Sequence, residues 1–201
     1  MKKFFIATAI MLASLANAQS QGGFRVGLDL GYALPAKGGG GFLVSIEPKY
    51  NIKDNMNIGL RFGAAAMAKN IQSTTSTTAN VDAEIGVNNS YLLTYDYYFN
   101  QSGSSFVPYI GAGAGLFQLA NLEINDTNST TNTTTTLDAT SKTGGLVRGG
   151  FEWGKFRMGV EYNFVPKSNI QDLKGNVVGS TDNSYLGIHL GFYIGGGKWG
   201  N

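Results

Sequence analysis

Apolar residues occupy every second position in stretch after stretch of this chain, and this spacing constrains the fold more than any other feature. In 24–32, 156–164 and 185–194, five even-numbered positions are apolar, and most residues between them are polar or glycine. Successive side chains of a β-strand point to opposite faces, so a period of two predicts strands with one apolar face. The chain is therefore expected to be rich in β-structure.

Five further segments continue the pattern, so that eight strands are predicted. The connections between the eight strands are 34–41, 53–55, 67–90, 100–105, 118–145, 154–155 and 165–184. After the first, short and long connections alternate, as periplasmic turns and external loops do in outer-membrane barrels. The sequence thus predicts an all-β fold, an eight-stranded antiparallel up-and-down transmembrane β-barrel with both termini in the periplasm. A soluble β-sandwich, whose strands also alternate, is the alternative fold.

Residues 1–18 are predicted to be a signal peptide. Lys2 and Lys3 precede the apolar run Phe4–Ala16, and the triplet 16–18 reads Ala-Asn-Ala, which fits a cleavage site. Removing the two lysines lowers Lys+Arg from 15 to 13, which equals the 13 Asp+Glu. The remaining barrel domain, 19–201, is therefore neutral, and its charge gives no support for a nucleic-acid partner.

The composition also limits the chemistry that the chain could perform. It has no cysteine, which excludes a disulfide and a thiolate metal site, and a single histidine, His189. A nucleophile–base pair would need a serine close to that histidine, but no His-x-Ser arrangement follows His189. We therefore expect no cofactor, no metal site, no catalytic residue and no enzymatic activity.

Three segments of the chain are similar to a known family. The glycine-rich run Tyr109–Gly115 after Pro108, the run 90–99 (SYLLTYDYYF) and the ending Tyr185–Trp199 resemble the small outer-membrane β-barrels of the OmpX, OmpW and OmpA-barrel type. The resemblance implies a porin-like protein of the Gram-negative cell outer membrane, with a structural, adhesive or small-solute pore role. It also implies contact with outer-membrane lipid or lipopolysaccharide.

The pattern of residues at the C-terminal end resembles the signal that the barrel-assembly machinery recognises. Tyr185, Gly187, Leu190 and Phe192 have the spacing of that signal, which implies that the machinery is a partner during biogenesis. The pattern stops before Gly195–Asn201, whereas the usual signal ends on a terminal aromatic residue.

If the apolar phase faces outward, a set of charged residues faces the lumen. The set is Arg25, Asp29, Glu47, Lys49, Arg61, Asp96, Arg148, Glu152, Arg157 and Glu161, and His189 shares their phase. Eight strands enclose a space that side chains can fill, and charges there are tolerated only when paired. The pattern predicts a salt-bridged, largely occluded lumen. These pairs are either static filling or a gate that opens when partners exchange.

The long connections are polar and of low complexity. Residues 72–80 and 125–136 consist mainly of Thr, Ser and Asn, so they cannot form an apolar core. Segments 67–90 and 118–145 are thus expected to be solvated loops, possible sites for an external partner. The apolar phase of 91–99 continues back to Val81, so strand four either runs from 81 to 99 as a protruding sheet edge or folds over as a hairpin.

Together these features predict an outer-membrane barrel with a structural or surface-interaction role. A narrow small-solute channel is the alternative function, and a lipid-modifying outer-membrane enzyme is a weaker one.

Overall fold

The structure is a computed structural model that describes residues 23–36, 38–70, 83–100, 103–123, 140–171 and 177–196. The predicted signal peptide, 1–18, lies outside these residues. No helix in the described ranges has the length and apolarity that a membrane-spanning helix needs.

Ten strands make up the described secondary structure. They are β1 (Phe24–Pro35), β2 (Gly40–Lys53), β3 (Met56–Asn70), β4 (Ala83–Tyr98), β5 (Phe106–Glu123), β6 (Thr140–Trp153), β7 (Phe156–Phe164), β8 (Ser168–Gln171), β9 (Val177–Thr181) and β10 (Tyr185–Gly195). Eight of them close into a barrel in the order β1-β10-β7-β6-β5-β4-β3-β2, with antiparallel neighbours throughout. Strands β8 and β9 form a separate hairpin. The predicted eight-stranded antiparallel barrel is confirmed.

The two ends of the barrel differ in their connections. The short turns after β2, β4 and β6 lie at one end, here called the turn end. The segments that join β1 to β2, β3 to β4, β5 to β6 and β7 to β10 lie at the opposite end, here called the loop end. The first of them, 36–39, is short, and the other three are longer than any connection at the turn end. At the turn end, the outward-facing aromatic residues include Phe99, Phe106, Trp153 and Phe156, which are all exposed. Such a ring is typical of the interfacial girdle of a membrane barrel.

The alternation of residues along each strand sorts the side chains between two faces. On β1, for example, Leu30 is 68% exposed, whereas its neighbour on the strand, Asp29, is only 4% exposed. Apolar side chains therefore cover the outer wall, and polar ones fill much of the interior. This is the reverse of a soluble protein, and it places the apolar surface where lipid would contact it.

Several strands extend further toward the loop end than the sequence predicted. The predicted loops 67–90 and 118–145 contain the ends of β3 and β5 and the beginnings of β4 and β6. These boundaries were wrong because a backbone ladder does not require apolar side chains. Polar residues continue the backbone pairing toward the loop end, for instance between Gln118 and Ser141.

Strand β4 runs from Ala83 to Tyr98, which confirms the long strand (81–99) rather than the hairpin, but it is not a sheet edge. It pairs with β3 as far as Asn70↔Ala83 and with β5 as far as Glu84↔Glu123. A free edge lies instead on β6, because β7 pairs with it only from Gly145 onward. In the described part of the chain, Thr140–Gly144 therefore has a strand neighbour on one side only.

The end of β7 explains this free edge. The backbone N–H of Val165 donates to the Ser184 hydroxyl at 3.2 Å, and that hydroxyl donates to the Val165 carbonyl at 3.2 Å. Pro166 follows, and proline has no N–H for a ladder. The chain consequently leaves the β6 edge after Phe164.

Candidate functional site

All eleven residues predicted to face the lumen lie on the inner wall, and each is at most 5% exposed. The ten charged residues form three groups: a central group, a turn-end group and a loop-side group. Whether these groups serve as filling or as a gate stays a prediction.

The central group is organised around Arg148 on β6. Its guanidinium donates to Asp96 on β4 through Nε and Nη2, both at 2.8 Å. It also donates to Glu47 on β2 through Nη1 and Nη2, at 3.0 and 2.7 Å. Strands β2 and β6 are four steps apart in either direction around the barrel. The Arg148–Glu47 contact therefore spans the lumen.

Two more cations share the carboxylates of the central group. Lys49 Nζ lies 2.5 Å from Asp96 Oδ2 and 3.2 Å from Glu47 Oε2. Arg157 Nη1 lies 3.4 Å from Glu47 and 3.6 Å from Asp29. Three cations thus meet three carboxylates, and the central group is electrically balanced. Paired, hydrogen-bonded charges of this kind are the form in which ionised side chains are tolerated in an interior.

Neutral side chains complete the hydrogen bonds of the central group. The Thr94 hydroxyl donates to Glu47 at 2.6 Å, and the Ser45 hydroxyl donates to Asp29 at 3.3 Å. Arg157 Nε donates to the Tyr109 hydroxyl at 3.0 Å, and the guanidinium of Arg157 lies 4.7 Å from the centre of the same ring.

One glycine is required by the close packing of this group. A Cβ on Gly111 would lie 2.0 Å from Asp96 Oδ1 and 2.8 Å from the Tyr95 carbonyl. Contacts that short do not occur, so only glycine fits beside Asp96 with the carboxylate in its present position. The glycines that alternate with apolar residues in Tyr109–Gly115 thus have a steric role at this point.

The turn-end group lies between the central group and the turn end. Arg25 Nη1 lies 2.9 Å from Glu152 Oε2, and Arg25 also donates to the Tyr98 hydroxyl. The Arg25 guanidinium lies between two rings, 4.8 Å from the centre of Tyr98 and 4.6 Å from that of Tyr193. Cation–π contacts of this type gain strength when the cation is desolvated.

The loop-side group contains a single ion pair. Arg61 Nη2 donates to both oxygens of Glu161, at 2.7 and 2.9 Å, and Asn163 Nδ2 donates to Glu161 at 2.9 Å. Strands β3 and β7 are four steps apart around the barrel, so this pair also spans the lumen. His189 lies beside it, with Nδ1 3.7 Å from Glu161 and Nε2 3.4 Å from the Tyr109 hydroxyl.

The inner wall also carries an apolar cluster that the sequence reasoning missed. We call it the apolar layer, and its members are Ala33, Leu43, Ala65, Met67, Leu92, Phe117, Leu119, Leu146, Val165 and Tyr185. Most of them lie in the half of the barrel nearer the loop end. Consecutive apolar residues, such as Phe42-Leu43-Val44 and Leu92-Leu93, are the signal that could have identified it. The lumen is therefore charged toward the turn end and apolar toward the loop end.

The sequence matches a family model, the outer membrane protein beta-barrel domain, over residues 4–179. The chain belongs to this outer-membrane β-barrel family. The match covers most of the chain and agrees with the closed barrel and its apolar outer wall. The protein is accordingly an outer-membrane β-barrel protein.

Solved structures of the same architecture support this fold assignment. Neisserial surface protein A (NspA) superposes with a TM-score of 0.58 at 15% identity, covering 87% of this chain and 99% of that one. The outer membrane protein OprG from Pseudomonas aeruginosa gives a TM-score of 0.53 at 11% identity, covering 88% and 97%. At these identities the similarity shows the fold alone. A comparison with curated proteins finds no match.

The ten charged residues of the lumen are all paired, and His189 is buried beside them. Each of the ten lumen charges has an oppositely charged side chain within salt-bridge range. His189 faces Glu161 and Tyr109 inside the wall, on the side away from lipid. In the described ranges, no three His, Cys, Asp or Glu residues are placed to hold a metal ion.

Proposed function

We propose that this protein is a non-enzymatic outer-membrane barrel that keeps its lumen closed to solutes and presents its loop end to an external partner. The observation that carries the closed lumen is the pair of contacts across its full width, Arg148–Glu47 and Arg61–Glu161. The apolar layer supports closure as well, because a hydrophobic constriction loses its water and so blocks ions.

Conductance of the refolded protein in planar lipid bilayers tests the closed lumen. We expect no stable conductance steps across either polarity of applied voltage. The variant Arg148→Ala is measured beside the parent protein, since it removes one of the two contacts that cross the lumen. Reproducible steps in the parent protein would reject closure and favour the small-solute channel.

Support for an external partner comes from the free edge of β6. Thr140, Ser141 and Thr143 are exposed, and their strand lacks a described neighbour on the β7 side. Unpaired backbone groups on a sheet edge are a template for an added strand. We propose that this edge, together with the loops 67–90 and 118–145, forms the contact surface. The edge would face the outside of the cell if both termini lie in the periplasm.

Amide hydrogen exchange of the free protein tests whether the edge is available. Alternate amides of 140–144 should exchange much faster than those of 145–149, which pair with strands on both sides. Uniform protection along the whole of β6 would mean that the edge is already covered, and the contact surface would have to lie elsewhere.

The absence of enzymatic activity is part of the proposal. His189 is buried, and its contacts are those of a residue that fills space beside an ion pair. Incubation with lipopolysaccharide followed by mass spectrometry should show no change in acyl content. An activity that is lost in His189→Gln would overturn this part of the proposal.

A further inference from the structure

Three buried side chains on β3 and β4 carry polar atoms without a hydrogen-bond partner. They are Nε and Nη1 of Arg61, Oγ of Ser90, and both amide atoms of Asn88. Each of the three residues is only 1% exposed. A buried polar group without a partner destabilises a fold, so several such groups in one region are candidates for binding a ligand.

The atoms of Arg61 and Ser90 are close to one another, and Asn88 lies on the same face. Ser90 pairs with Gly63 across β3 and β4, and both face the lumen. The position that a Cβ on Gly63 would take lies 2.6 Å from Ser90 Oγ and 3.1 Å from Arg61 Nη1. The hydroxyl and the guanidinium thus converge beside a residue that has no side chain. Asn88 is two residues before Ser90 on the same face, about 7 Å along the strand.

The set of groups is rich in donors and includes the Arg61 guanidinium, whose charge is balanced by Glu161 through Nη2 alone. Glu161 binds only Nη2 of Arg61 and leaves the N–H groups on Nε and Nη1 free. The hydroxyl of Ser90 and the amide of Asn88 add further donors. Several convergent donors around a guanidinium form the environment that stabilises a small anion in a site with little water.

We propose that Arg61, Ser90 and Asn88 form an internal binding site for a small monovalent inorganic anion such as chloride. The anion accepts hydrogen bonds from Arg61 Nη1, from the Ser90 hydroxyl and from the Asn88 amide. It lies on the loop side of the central charges and below the loop end. The site does not depend on the closed lumen, because a conducting barrel could hold the same anion at the same residues.

Bromide is a suitable probe, because it resembles chloride and scatters anomalously. The full mature barrel is refolded and crystallised in sodium bromide, and an anomalous peak is expected within hydrogen-bonding range of Arg61 Nη1 and Ser90 Oγ. Ser90→Ala removes one donor and should lower the occupancy of that peak. Ser45→Ala is the matched control, since it removes a buried hydroxyl that already has a partner, Asp29.

A second measurement in solution keeps the proposal testable if a variant crystallises poorly. Unfolding midpoints are measured against bromide concentration at constant ionic strength, with a large organic anion as the replacement. The parent and Ser45→Ala should be stabilised by bromide, and Ser90→Ala should need about tenfold more bromide for the same gain. A water molecule in place of the anomalous peak would overturn the proposal. An equal bromide response in Ser90→Ala and the parent would also overturn it.

Discussion

Replacing Arg148 with methionine tests how much the central charges contribute to stability. The parent guanidinium makes four charge-assisted hydrogen bonds of 2.7–3.0 Å to Glu47 and Asp96. Without it, Lys49 and Arg157 face three carboxylates, so one negative charge is left unbalanced in the interior. Breaking a buried pair on one side costs about 3–5 kcal/mol. We therefore expect the folding equilibrium constant to fall by about two to three and a half orders of magnitude.

Urea-induced unfolding in lipid vesicles measures this loss. Trp153 is 63% exposed on the outer wall, so its fluorescence reports contact with lipid when Trp199 is replaced by Phe in every protein compared. Arg148→Lys keeps the charge and loses the forked geometry, and it should cost less than Arg148→Met. The double variant Arg148→Met/Asp96→Asn removes the unbalanced charge and should recover part of the loss. If Arg148→Met unfolds within about 1 kcal/mol of the parent, the reasoning about these charges is refuted.

Three further substitutions test the packing of the wall, each against a matched control. Gly111→Ala should lower the unfolding midpoint, whereas Gly27→Ala should change it little, because a Cβ on Gly27 meets no atom nearer than 3.7 Å; equal effects in the two would contradict the steric role of Gly111. Leu93→Arg on the outer wall should lower the free energy of unfolding in vesicles by about 2–4 kcal/mol, and Thr143→Arg near the loop end should lower it by about 0–1 kcal/mol. Urea unfolding measures both, and a tolerated arginine at 93 would mean that this position does not contact hydrocarbon. Phe117→Ala in the apolar layer should cost about 3–5 kcal/mol, and Phe164→Ala on the outer wall, 51% exposed, should cost less; the opposite order would show that the apolar layer is loosely packed.

The sequence alone predicted which face of each strand points inward, because the period of two leaves only two choices. Asp29 and Arg157 were assigned to the interior on this basis, and both are buried there. Strand ends were predicted less well. At Ser141 and its neighbours the apolar alternation stops, but the backbone pairing continues. The end of the apolar pattern therefore does not mark the end of the strand.

The partners of the charged residues could not be read from the sequence. Arg61 and Glu161 are 100 positions apart and lie on strands that are not neighbours. Only closure of the ring and the register of every strand bring them together. The apolar layer was missed for a different reason. Leu43 and Phe117 occupy the inward phase, which was expected to be polar. Leu43 lies between the outward-facing Phe42 and Val44, and Phe117 follows the outward-facing Leu116.

The pairing of the first barrel strand with the last has a consequence for the order of events during biogenesis. Arg25 pairs with Gly195, so the pairing of β1 with β10 joins residues that are 170 positions apart (195 minus 25). Pairings of such long range form late and slowly. Until these pairings form, the barrel wall does not enclose the ten charged residues of the lumen. Exposing these charges to hydrocarbon would cost a large amount of free energy. The ring must therefore be completed no later than its entry into lipid, and a chain delayed at that step would stay outside the bilayer.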